Sequence, residues 1–172
     1  LATELAREVE RLAAAGANFG ALTANTPHIV FDEVERLSPI PLISIVRTAL
    51  SGTLAAGIRR PALLGTRFTM AGRFYPEVFS RAGITLIAPA ESEHGWIHDK
   101  YMNELVRGTF SGETRRRFVA LIERMRAESA IDGAILAGTE LPLLLRNERI
   151  EGVPLLDTTE IHVNAIVSSA LE

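Results

Sequence analysis

Short apolar runs alternate along this chain with segments whose apolar residues recur every three or four positions, and most changes of period fall at a glycine or proline. Leu5, Val9, Leu12 and Ala13 mark one face of a helix over Leu1–Ala15, stopped at Gly16. Phe19–Thr23 then reads as a strand, Pro27–Leu37 as a helix, Pro41–Ile45 as a second strand, and Val46–Ala56 as a helix closed by Gly57. Pro61–Gly65 is a further apolar run, Phe74–Ala82 a helix up to Gly83, and Ile84–Ala88 a strand. Helices follow near His94–Val106 and over Gly112–Ser129, the latter with Ser111 placed to cap it. Gly133–Ala137 is an apolar run, Leu141–Arg146 a short helix, Val153–Leu156 a strand, and Thr159–Leu171 a closing helix. Continuous apolar strands separated by helices predict an α/β protein whose parallel strands are covered on both faces.

Three of the strand ends carry the same chemistry. Ala24, Asn25 and Thr26, then Gly65 and Thr66, then Gly138, Thr139 and Glu140 each put small residues and a hydroxyl where a strand gives way to a helix. Ligands of open α/β sheets sit at such carboxyl ends, and helix N-termini supply N–H groups to anions. The plain alternative is that each Ser, Thr or Asn caps its helix. Three turns of one kind favour a carboxylate or phosphate site. ALTANTPH and AILAGTEL read as versions of one another, which predicts two similar lobes facing across a cleft. The first lobe comprises residues 1–58 with 159–172, the second 59–158. Leu1 already lies inside a helix, whereas a parallel lobe opens with a strand, so a segment preceding this sequence is expected.

Composition narrows the field. The 172 residues are 47% hydrophobic and 23% charged, as in a globular protein, and the net charge of −3 argues against a nucleic-acid partner. Arg115, Arg116 and Arg117 share their helix with Glu113, Glu123 and Glu128 and read as a solvated face. No cysteine is present, which removes disulfides and thiolate metal sites and fits a cytoplasmic protein; no apolar stretch is long enough to span a bilayer. His94 and His98 could share a helix face, but no third ligand is in pattern, so no metal is expected.

The ordered motifs ANTPH, LLGTRFTM with Phe74 and Tyr75, Ile97–Leu105, LAGTELPLLL and LDTTEIH resemble those of the aspartate/glutamate racemase family, which uses no pyridoxal phosphate. The likeness runs over nearly the whole chain. It implies two α/β lobes binding an acidic amino acid between them, no cofactor, and a homodimer, for which the apolar helix faces around Val46–Leu54 offer a surface. In that family one cysteine from each lobe handles the α-proton, a thiolate as base and the opposite thiol as acid. Here those positions are Ala24 and Gly138, neither of which can exchange a proton. The resemblance gives Asn25, Thr26, Thr66, Thr139 and His162 to the substrate carboxylate. His28 and Glu140 are the remaining candidate proton carriers. Each has a plainer part: His28 packing on Phe31 and Asp32, Glu140 favoured by a helix dipole, His162 as a structural hydrogen bonder. Met70 and Tyr75 are expected to pack between lobes; Lys100 and Tyr101 could approach the cleft, which spacing alone does not show. Three readings follow: an enzyme using non-cysteine acid/base groups, a silent carboxylate-binding homologue, or a trapping mutation at Ala24, which leaves Gly138 unexplained.

Overall fold

A computed structural model describes residues 1–171. The order is α1 (Ala2–Ala14), β1 (Gly20–Ala21), a 3₁₀ turn (Thr26–Val30), α2 (Phe31–Leu37), β2 (Leu42–Ile43), α3 (Ile45–Ala55), β3 (Pro61–Gly65), α4 (Arg67–Ala71) and α5 (Phe74–Ser80). Then come α6 (Glu91–Asn103), α7 (Gly112–Ser129), β4 (Gly133–Ala137), α8 (Leu141–Leu145), β5 (Leu155–Asp157) and α9 (Thr158–Leu171). The strands form two parallel sheets flanked by helices, β1–β2 and β3–β4–β5. The α/β expectation is thereby met.

The larger sheet shows why its strands are unbroken apolar runs. Alternate residues of a strand face opposite sides. Ala62, Leu64, Ala134 and Leu136 enter one core with Ile97 and Tyr101 of α6, Phe118 and Ile122 of α7, and Leu141 and Leu144 of α8. Leu63, Ile135 and Ala137 enter a second core with Ile45, Val46 and Ala49 of α3 and Tyr75 and Phe79 of α5. A third cluster, Ala2, Val9, Phe31, Val34 and Leu42, joins α1 and α2 to the small sheet. Ile45, Val46 and Ala49 of α3 are thus covered within the chain, by α5 and α9, while Leu54 near its end is exposed. At that crossing a Cβ on Gly52 would stand 2.8 Å from Ile161 Cδ1, so glycine permits the close approach of α3 and α9.

Local differences from the sequence reading have local causes. The helix expected over Pro27–Leu37 opens as a 3₁₀ turn and becomes α-helical at Phe31; Val30, with φ −116°, breaks the two apart. Ile84–Ala88 does run beside β3, with Ile87 N–H donating to Pro61 C=O at 3.0 Å and Leu63 N–H to Ile87 C=O at 2.9 Å. Its ladder amounts to the single bridge Ala62–Ile87, since the chain turns away at Pro89. The last strand starts two residues later than expected and ends one later, at Leu155–Asp157, because Pro154 has no N–H for the ladder and serves it through its carbonyl, 2.9 Å from Ala134 N. The α4 helix was absent from the sequence reading; five residues are too few to show a period. Ser111 caps α7 as expected, accepting from Thr114 N–H at 3.1 Å. Among the described residues no helix is long and apolar enough to cross a membrane.

Candidate functional site

The register of the larger sheet sets the site. Gly65 lies opposite Ala137, so Thr66 and Gly138 leave adjacent strand ends about 5 Å apart. Gly65 is needed there: a Cβ would come 2.6 Å from Ala137 C=O and 3.1 Å from Thr69 Cβ. Without that clearance the turn after β3 could not fold against β4.

Thr66 caps α4, its Oγ1 accepting from Thr69 N–H at 3.3 Å. It also meets a residue of the first turn. The hydroxyls of Thr26, Thr66 and Thr69 form a triangle with edges of 3.1, 3.3 and 3.4 Å. Thr69 is buried, while Thr26 and Thr66 are partly open to solvent. Each hydroxyl offers one proton and two lone pairs, so the triangle can turn donors outward toward an anion without leaving its members unpaired. Sequence reasoning named Thr26 and Thr66 but not Thr69; the spacing Gly65-Thr66-x-x-Thr69 is the signal that could have found it.

Asn25 does not cap the turn it opens. It is buried, its Oδ1 accepting from Tyr75 O–H at 2.5 Å and its Nδ2 donating to Thr158 Oγ1 at 3.2 Å. Thr158 in turn donates to Leu136 C=O at 2.8 Å. The side chain therefore latches the first turn to α5, α9 and β4. Burial, with no ionic partner, pushes the Tyr75 phenol well above its usual range, so it remains a donor. Asn25→Ala would strand the Tyr75 hydroxyl in the interior. The expected loss is about 1–3 kcal/mol of stability in chemical denaturation. Adding Tyr75→Phe should recover part of it, since the orphaned hydroxyl is then gone.

His28 is buried and stacked on Phe31, ring centroids 4.7 Å apart. Ile45 N–H donates to its Nε2 at 3.2 Å, which places the proton on Nδ1, 2.9 Å from Ala24 C=O. Both ring nitrogens are engaged with backbone, and in this arrangement neither can pass a proton to a ligand. Desolvation lowers its pKa to about 4. His162 is also buried; its Nε2 lies 2.9 Å from Ile43 C=O, and desolvation again lowers its pKa. The two histidines thus brace the link from β2 to α3 from either side of Ser44. Lys100 pairs with Glu104 one helical turn on. His94 reaches only Pro89 C=O, at 2.9 Å.

At the third turn Gly138 is buried, and Thr139 and Glu140 are partly exposed. The Tyr101 hydroxyl donates to Glu140 Oε2. The structure thus brings together Thr26 and Thr66, and, one strand away, Gly138, Thr139 and Glu140 with Tyr101. Two cavities lie elsewhere. One of about 440 Å³ is bounded by Pro142, Arg149 and Leu155, the other, of about 710 Å³, by Phe31, Arg47, Phe74 and Glu77; neither is lined by a residue of the triangle or of the third turn. Because the turns touch through the threonines, a ligand there would rest on the hydroxyls and not between them.

The model of the Asp/Glu/Hydantoin racemase family matches residues 1–166. The broad specificity amino-acid racemase RacX of Bacillus subtilis (strain 168) is 24% identical over 163 residues, covering 94% of this chain and 68% of that protein. An aspartate racemase homologue from Pyrococcus horikoshii OT3 superposes with a TM-score of 0.89 at 33% identity, over 99% of this chain and 74% of its own. The aspartate racemase of Picrophilus torridus shares the fold, with a TM-score of 0.77 at 22% identity, over 98% of this chain and 69% of its own.

Proposed function

This chain belongs to the Asp/Glu/Hydantoin racemase family, and from that premise we propose that it binds a small carboxylate, an amino acid or a near relative, over the threonine triangle, with no thiol pair to invert it. The observation that carries the reading is the triangle itself, three hydroxyls within 3.4 Å of one another drawn from two separate turns. Hydroxyls gathered at one place can donate to a carboxylate, and they suit still better the enediolate-like charge that grows on it when an α-proton leaves. The similarity to a broad specificity amino-acid racemase favours an amino acid as the ligand class. The β3–β4 register sets the turn that carries Thr139 next to the turn that carries Thr66, and in this reading Thr139 completes the site. In this reading Asn25, His28 and His162 hold the turns in place and do not touch the ligand.

The proposal keeps residues 1–58 with 159–172 as one lobe and 59–158 as the other, so that Thr26 and Thr66 meet across them. Two copies would pair through the apolar residues left exposed on α3 and α9, Leu54, Val163 and Val167. The test is calorimetric titration with each enantiomer of aspartate, glutamate and alanine. Thr26→Val removes one donor without touching the cap of α4. It should weaken binding roughly 10- to 100-fold, the worth of a hydrogen bond to a charged group. Unchanged affinity in that variant, or no binding by the wild type, would reject the site.

A further inference from the structure

The position that matches the family's second cysteine is not vacant. A Cβ built on Gly138 would lie 2.8 Å from both Cε2 and Cζ of Tyr101, and the phenol oxygen is nearer still. Real Cβ atoms do not make such contacts. The Tyr101 phenol therefore fills space that any side chain at 138, a cysteine's included, would need. Glycine at 138 makes room for a phenol carried in from α6.

The phenol is buried beside a carboxylate. Tyr101 is 4% exposed, packed in the core beside Met70 and Leu136. Its O–H donates to Glu140, whose side chain is partly exposed and makes no ion pair among the described residues. Burial, then the Glu140 carboxylate, raise the phenol's pKa; the Glu140 N–H and the Thr139 hydroxyl oppose them by favouring charge on the same oxygen. A proton on this oxygen thus has a carboxylate to pass to, and charge on it has two donors to meet.

We propose that Tyr101 and Glu140 form a one-sided proton relay that takes the place of the second thiol, so that the protein exchanges the α-hydrogen of its bound carboxylate on one face only. This rests on the carboxylate-binding reading above. The Tyr101 oxygen accepts the α-proton as its own proton moves to the Glu140 carboxylate. The C–H bond breaks, its electron pair stays on the α-carbon and spreads into the carboxylate under the threonine hydroxyls, and Glu140 becomes the neutral acid. While the charge is held, Glu140 trades its proton with water and the Tyr101 phenol trades its own with Glu140, so the proton that Tyr101 returns to the same face comes from solvent. Ala24, at the position the resemblance gives to the opposite thiol, offers only a methyl group. Exchange therefore proceeds with retention, and Tyr101 is the catalytic residue.

The experiment incubates the wild-type chain in deuterium oxide with each enantiomer of aspartate, glutamate and alanine. Loss of the α-proton signal is followed by NMR, and the recovered acid is resolved on a chiral column. At least one enantiomer should gain deuterium with its configuration kept, and Tyr101→Phe should slow that exchange at least 100-fold while calorimetric affinity stays within about threefold. Binding without exchange overturns the relay and leaves the binding reading standing. Racemised product in the wild type, or wild-type exchange by Tyr101→Phe, overturns it as well. Absence of binding to every member of the set overturns both.

Discussion

Gly138→Cys is expected to destabilise the protein by about 3 kcal/mol, and joined to Ala24→Cys it is expected to bring no two-thiol racemisation. Supplying the missing thiols looks sufficient in sequence, but in the structure Tyr101 already holds the second place. A side chain at 138 must push the ring out of a core it shares with Leu136, Met70 and Ile97, none more than 5% exposed, and detach its hydroxyl from Glu140. Interiors near crystal density give little room for either movement. In a Tyr101→Val background the sign should reverse. That variant alone leaves a cavity costing about 3–5 kcal/mol, and a cysteine at 138 would partly fill it. Denaturant titration of the four proteins of this cycle measures the coupling. Simple additivity would mean that Tyr101 does not occupy the place assigned to it.

Acid should unfold this protein earlier than its carboxylates alone require, through His28. The imidazole has a pKa of about 4 in the fold, against 6.5 when exposed. As pH falls the unfolded chain takes up this proton first. The stabilisation is therefore complete above about pH 6.5, is lost as pH falls toward 4, and amounts to about 3 kcal/mol over that window. His162, lowered in the same direction, adds to the trend. His28→Gln carries no such proton. The stability gap between wild type and variant, measured by urea unfolding, should narrow by about 3 kcal/mol between pH 7.5 and pH 4. A gap that stays constant would show that His28 does not titrate in this way. Protonation would also release Ile45 N–H from Nε2, so the junction of β2 and α3 should be the first to loosen.

The sequence by itself determined the α/β class, the two core strands of the larger sheet and the order of the turns that carry polar residues. It could do so because these depend on local period and on strand-end chemistry, which survive in one dimension. Pro61–Gly65 and Gly133–Ala137 are unbroken apolar runs because both faces of that sheet are covered, and their bounds were legible to the residue. Thr66 stood out as a hydroxyl directly after a strand, and Thr26 as one in the polar turn that follows β1. The absence of cysteine was equally plain, and with it the emptiness of Ala24 as a proton carrier.

Tertiary structure decided what each polar residue faces. Asn25 looked like a ligand holder, but its amide is taken up by Tyr75 and Thr158, neither near it in the chain. His28 was open in sequence between carrying a proton and packing on Phe31; it stacks on Phe31, and Ile45 N–H fixes its tautomer and closes its second nitrogen. Gly138 read as an empty place, and only the packing of α6 against the end of β4 shows that a phenol stands in it. Hydrophobic period places a residue on the inner face of its element but leaves open which distant side chain it will touch. That depends on strand register and on how helices cross the sheet, set by close contacts such as those at Gly65 and Gly52. The reach of Tyr101 over Gly138 is a product of those contacts, and no pattern along the chain encodes it.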